Sequence, residues 1–180
     1  MKFDFDEFVS QVRAAAKEPD PNRAVRGVLE GCVSDPEPII AATPEDGEDE
    51  VNLFEDEALS IWRCRFQPHV VMPPHEHKLT VHIAVYSGGE KNILFQPNDG
   101  QLKHENTTVI GPGEVISLEE DCIHAVTADG ESPSLALHVY MGPLMKLKRD
   151  LFDWNTGEAV DFSMENFHQM KRRASELPNF

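Results

Sequence analysis

Apolar residues recur at helical spacing in the first part of the chain. Phe5, Phe8, Val9 and Val12 form one stripe, headed by Asp4 and, three residues later, Glu7, the form of a capping box. Ala24, Val25, Val28 and Leu29 form a second stripe behind Asp20-Pro21, a cap followed by a first-turn proline. Asp35-Pro36 opens a short third helix through Ile39 and Ile40, which the acidic, turn-rich stretch Thr43 to Glu50 ends.

From Val51 onward the pattern becomes short runs of Val, Ile, Leu, Phe and Thr broken by Gly, Pro, Asn and Asp, which is the pattern of strands. The segments expected as strands are 58–66, 69–72, 79–86, 91–96, 106–110, 114–118, 123–128 and 134–141, spaced as in an all-β barrel or sandwich. Gly88-Gly89, Pro97 to Gly100 and Gly111 to Gly113 read as the turns between them. Phe152 to Gly157 reads as a turn or hairpin, and Ser163 to Glu176 as a closing helix. The expectation is a mainly β fold in a single domain over 1–180, with a helical segment at 1–45, a barrel core at 51–145 and a hairpin and helix at 146–180.

Charge narrows the partners. Thirty-two acidic against 16 basic side chains give a formal charge of −16, which argues against nucleic acid and against an anionic membrane surface. The basic runs Lys146 to Arg149 and Lys171 to Arg173 read as solvated faces. Cys32, Cys64 and Cys122 form no Cys-x-x-Cys pair and are odd in number, which suggests free thiols in a reducing compartment. The acidic start, MKFDFDEF, does not read as a signal peptide, and no segment approaches the length of a membrane span. A cytoplasmic protein acting on a small molecule, as monomer or homodimer, is expected.

Candidate chemistry lies in the histidines, seven of whose eight members fall between His69 and His138. In a strand, residues two apart point the same way, so His75 and His77 can offer both imidazoles to one ion, with Glu76 facing elsewhere. His124 answers them from a later strand, and His82 stands nearby. Imidazole suits iron, nickel, copper and zinc, and three such ligands leave open positions for water, oxygen or substrate.

The spacing resembles the two metal motifs of the cupin family, whose fold is a small double-stranded β-helix. His69 stands at the first glycine position, His75 and His77 at the paired histidines, His82 at the glutamate and Gly89 at the closing glycine. For the second motif, Gly113, Glu119, Asp121, His124 and Ala128 fall at the required intervals, although the Pro-x-Gly letters are replaced. The cupin glutamate is commonly a fourth ligand, so the resemblance leaves His82 as a fourth nitrogen ligand, a donor behind the ligands, or a spectator.

Within that family the C-terminal part is similar to the cysteine dioxygenase and thiol dioxygenase branch. The strand Ser134-Leu-Ala-Leu-His138-Val-Tyr140-Met-Gly-Pro143 and the later Phe152-Asp-Trp-Asn-Thr-Gly157 carry the likeness. That branch implies ferrous iron on His75, His77 and His124, with Ni, Zn, Mn or Cu as other metals the ligands suit, and O2 as co-substrate. It also implies His138 and Tyr140 as catalytic partners, Tyr140 donating to oxygen, with Ala136 where the branch has serine. His82 aligns with the branch's crosslinking cysteine, so no crosslink to the tyrosine is expected. Arg63 and Arg65, on one face of the strand before the histidines, are the candidates for holding a substrate carboxylate. A different metal-dependent reaction, such as carbon–carbon cleavage, a lyase or an isomerase step, and metal-dependent binding without turnover are the rival readings.

Overall fold

A computed structural model describes residues 2–98 and 100–178. Helix α1 (Phe5–Ala15) begins where the Asp4 carboxylate accepts from the backbone N–H groups of Asp6 and Glu7; the Glu7 side chain is taken up instead by Gln11. Helix α2 (Pro21–Val33) begins at Asp20, which accepts from the Arg23 N–H, and α3 (Glu37–Ala42) follows. The buried faces of α1 and α2, Phe8, Val12 and Ala15 with Val25, Leu29 and Val33, match the sequence stripes.

The strands are β1 (Glu50–Glu55), β2 (Ser60–Phe66), β3 (Val70–Glu76), β4 (Val81–Ser87), β5 (Gly89–Asn98), β6 (Gln101–Ile110), β7 (Val115–Leu118), β8 (Ile123–Asp129), β9 (Ser134–Tyr140), β10 (Asp150–Phe152), β11 (Ala159–Asp161) and β12 (Arg172–Arg173). One sheet has the order β1-β2-β9-β4-β7; the other runs β11-β10-β3-β8-β5-β6, with β12 on β3. All pairs are antiparallel, and β2 to β5 and β7 to β9 switch sheets at each step. That winding makes the mainly β fold a double-stranded β-helix.

Two faces of the first sheet are buried for different reasons. Ile61, Ala84, Tyr86, Leu137 and Val139 pack under the helices, whereas Val81, Ile83, Val85, Ala136 and Tyr140 face the second sheet. A strand covered on both sides loses the apolar–polar alternation that would tell its faces apart.

Three expectations change. Strand β1 was absent from the expected set because Glu50, Asn52 and Glu55 break its pattern and its register slips between Asn52 and Phe54. The closing helix is only α4 (Met164–Gln169), capped by Ser163; the chain then leaves to pair β12 with β3 and forms a 3-10 turn at Ala174–Glu176. Strand β3 runs on through Pro73 and Pro74 to Glu76, with a register shift between Met72 and His75. The hairpin at Pro97 to Gly100 joins β5 to β6, with Asn98 opposite Gln101; Asp99 lies outside the described residues. The Phe152 to Gly157 turn is held by the Asp153 carboxylate, which accepts from Asn155 and Thr156 N–H groups.

Candidate metal centre

His124 lies on β8, directly opposite His75 on β3, and their ring centroids are 4.5 Å apart. His77 follows the end of β3, where Lys78 adopts a left-handed φ of 55°, and its ring stands 4.8 Å from His75 and 4.9 Å from His124. One ring nitrogen from each of the three lies within 4.8 Å of the others, a group that could hold a metal ion.

The remaining nitrogens show how such an ion would be met. His75 Nδ1 bonds the Pro73 carbonyl at 2.9 Å and His124 Nδ1 bonds Asn92 Oδ1 at 2.7 Å. Each leaves Nε2 as the free nitrogen, the orientation that acceptors behind a ligand histidine enforce. The Nε2 atoms of His77 and His124 face each other at 3.4 Å. Burial, the largest cause, lowers His75 to about 3 and His77 and His124 well below the ordinary histidine value. Neutral imidazoles are what metal ligation requires. The residues present therefore fit a first-row divalent ion.

These histidines line a cavity of about 60 Å³ with Glu50, Trp62, Cys64, Phe66, His138, Tyr140, Arg149, Phe162 and Phe167 among its walls. Tyr140 packs its ring 4.8 Å from that of His77 at 71°, and its hydroxyl lies 3.3 Å from His138 Nδ1. Burial pushes the Tyr140 phenol well above its ordinary value, so it stays protonated at neutral pH. His138 and Tyr140 thus line the same cavity as the three histidines.

His138 Nε2 lies 3.1 Å from Glu90 Oε2, and Asn92 donates to Glu90 Oε1 at 3.0 Å. Neither Glu90 nor Asn92 was singled out from sequence. Both are fully buried, two apart on the inward face of β5, but Glu90 follows the Gly88-Gly89 turn and reads as part of it. Trp62 Nε1 and His77 Nδ1 are buried with no hydrogen-bond partner among the described residues. Polar groups left so are where a ligand or water fits.

Two sequence expectations are corrected. His82 alternates with Val81 and Ile83 and so turns to the helix side, where Nδ1 meets Ser117 Oγ at 2.8 Å and Nε2 meets Asn22 Oδ1 at 3.2 Å. It is neither a fourth ligand nor a donor behind the ligands. Arg63 and Arg65 do share a face, but it is that of Ile61, under the helical segment; Arg65 donates to the carbonyls of Pro44 and Gly47. The arginine in the cavity is Arg149, taken from a run that read as solvated. Its guanidinium stacks on Phe162, and burial lowers its pKa to about 10, which leaves it charged at neutral pH. Its neighbours Lys146 and Lys148 are exposed, and alternation at the approach to β10 is what separates them.

The other histidines are occupied elsewhere: His69 with Glu131, His104 with Thr107 and His168 with Glu50. Glu50, at the cavity, is raised by burial, an effect that His168 and Lys171 oppose.

Neither a protein-family model nor a curated protein sequence matches this chain. Solved structures similar to it include an uncharacterized conserved protein with a double-stranded beta-helix domain from Klebsiella pneumoniae, 17% identical over 61% of this chain and 88% of that one, TM-score 0.43. Hydroquinone 1,2-dioxygenase from Sphingomonas sp. TTNP3 is 12% identical over 62% of this chain and 75% of that one, TM-score 0.46. A mutant of Bacillus subtilis oxalate decarboxylase is 18% identical over 52% of this chain, which spans 24% of that one, TM-score 0.42. At these identities and scores the neighbours transfer no activity. No helix among the described residues is long and apolar enough to cross a membrane.

Proposed function

We propose that this chain is a non-haem iron(II) dioxygenase that adds both atoms of O2 to the sulfur of a small thiol carboxylate, turning RSH and O2 into RSO2H. The observation that carries the reading is the convergence of His75, His77 and His124 in a cavity that also holds the Tyr140–His138 pair and Arg149. Ferrous iron on three neutral imidazoles would supply open positions for a thiolate and O2.

Arg149 binds the substrate carboxylate, since a guanidinium pinned by an aromatic face keeps its fork rigid for a bidentate pair. Trp62, Phe66, Phe162 and Phe167 exclude water and give the sulfur an apolar wall. Tyr140 orients the reacting group from beside His77, and His138 holds the phenol in place. The cavity, about 60 Å³, suits a small substrate. The likeness of the Ser134 to Pro143 strand to thiol dioxygenases supports sulfur as the reacting atom.

Metal analysis of the purified protein, followed by oxygen-electrode assays against a panel of small thiols with and without a carboxylate, tests this. Iron-dependent, thiol-dependent oxygen uptake that His124→Ala abolishes is expected; full retention of metal or uptake in that variant overturns the reading. A second reading rests on Glu50, a carboxylate at the cavity whose pKa is raised by burial and which could serve as a base. Turnover without oxygen would favour that lyase or isomerase chemistry.

A further inference from the structure

A continuous hydrogen-bonded chain runs from the candidate ligand His124 to Tyr140. It passes from His124 Nδ1 to Asn92 Oδ1 at 2.7 Å, from Asn92 Nδ2 to Glu90 Oε1 at 3.0 Å, from Glu90 Oε2 to His138 Nε2 at 3.1 Å, and from His138 Nδ1 to the Tyr140 hydroxyl at 3.3 Å. Glu90 sits at its centre, 0% exposed, and receives both halves. The residues come from three strands, β8, β5 and β9, so the chain ties the two sheets together behind the cavity.

We infer that Glu90 is a positioning residue that sets the direction of every bond in this chain, and thereby makes the Tyr140 oxygen a hydrogen-bond acceptor toward the substrate. The inference rests on the metal reading above for one end only. If His124 ligates through Nε2, its Nδ1 carries the proton and donates to Asn92 Oδ1, which turns the Asn92 NH2 toward Glu90. At the other end, a carboxylate has only acceptors to offer, so an imidazole that carries a single proton places it on Nε2, facing Glu90. His138 Nδ1 is then a bare lone pair, and the neighbouring hydroxyl is the group that donates to it. The Tyr140 proton therefore points at His138, and the phenol oxygen keeps its lone pairs for the cavity. A substrate group that donates there, a thiol S–H or an ammonium, is matched; an oxyanion is opposed. This reverses the role that the family likeness implied for Tyr140, donation to oxygen.

Glutamate is singular at this position. Glutamine has the same shape but one acceptor, so its NH2 must face either the Asn92 NH2 or His138 Nε2. Facing His138, it donates to Nε2 and drives the ring proton to Nδ1, which turns the tyrosine hydroxyl round.

Long-range ¹H–¹⁵N spectra of histidine-labelled protein, loaded with diamagnetic zinc, report the tautomer of each ring; His138→Gln assigns the His138 signals. In the wild-type protein at neutral pH, His138 is expected to be protonated on Nε2 and bare on Nδ1, and His124 protonated on Nδ1. In Glu90→Gln, His138 is expected to shift to the Nδ1-protonated form, or zinc affinity to fall about tenfold as Asn92 loses its anchor behind His124. A wild-type His138 protonated on Nδ1 overturns the inference, and so does a Glu90→Gln protein with both tautomer and zinc affinity unchanged. The wild-type spectrum alone decides the point if the variant does not fold. The zinc-free spectrum separates the two readings: without zinc binding the metal reading fails, while the Glu90–His138–Tyr140 half, which includes no ligand, still shows its tautomer.

Discussion

The guanidinium carbon of Arg149 lies 3.2 Å from the centre of the Phe162 ring, and the Phe162 N–H donates to the Arg149 carbonyl, so side chain and backbone hold the same pair. An arginine fixed in this way has lost its rotamer freedom before a ligand arrives. Replacing it by alanine should lower kcat/KM about 30-fold for a thiol carrying a carboxylate, from the loss of roughly 2 kcal/mol of charge-assisted bonding. Thiols without a carboxylate should be affected far less. Equal losses on both would show that Arg149 does not read the acid.

His82 and His124 are separable by metal content. His82→Ala should retain the full complement of metal while losing about 1–2 kcal/mol of stability in urea titration, through loss of the bonds to Ser117 and Asn22. His124→Ala should lose the metal. A metal-depleted His82→Ala protein would reopen the fourth-ligand reading.

Acid should destabilise the metal-free protein through its buried histidines. His75 takes up a proton near 6.5 when unfolded but only at about 3 when folded. Between those values the unfolded chain binds the extra proton, so stability is full above about 6.5 and declines as pH falls toward 3. The slope contributed by each such histidine is about 1.4 kcal/mol per pH unit. Urea midpoints measured from pH 7 downward should show this decline, and His77→Ala should flatten it.

The thiols should resist alkylation in the folded state. Burial raises Cys122 to about 11 and Cys32 to about 12, and drives Cys64 upward as well. At pH 8 iodoacetamide should modify them at least roughly a hundredfold more slowly than in the unfolded chain, because only the thiolate reacts. Rapid labelling of Cys64 in the native protein would mean that the cavity opens more widely than its walls show.

Much of the architecture was legible because helix caps and strand punctuation are local. Asp4, Asp20 and Ser163 cap helices where they stand in sequence, and the Gly88-Gly89 and Gly111 to Gly113 turns fall between strands as expected. The histidine spacing was legible too, since His75 and His77 sit two apart and His124 answers from the strand that pairs with β3. Arg149 and Glu90 were hidden because each sits at the edge of an element beside residues of loop-like character. Whether such a side chain turns inward depends on where the next strand docks.

The sequence by itself determined which residues share a face: His75 with His77, Arg63 with Arg65, His138 with Tyr140. Only the tertiary structure decided which of those faces meets the cavity. The first sheet is covered by helices on one side and by its partner sheet on the other, so both faces are buried and no contrast in polarity marks the inner one. His82 and the Arg63–Arg65 pair fell on the helix side, His138 and Tyr140 on the inner side, and Glu90 at the start of β5 and Arg149 just before β10 completed the cavity from positions that periodicity could not orient.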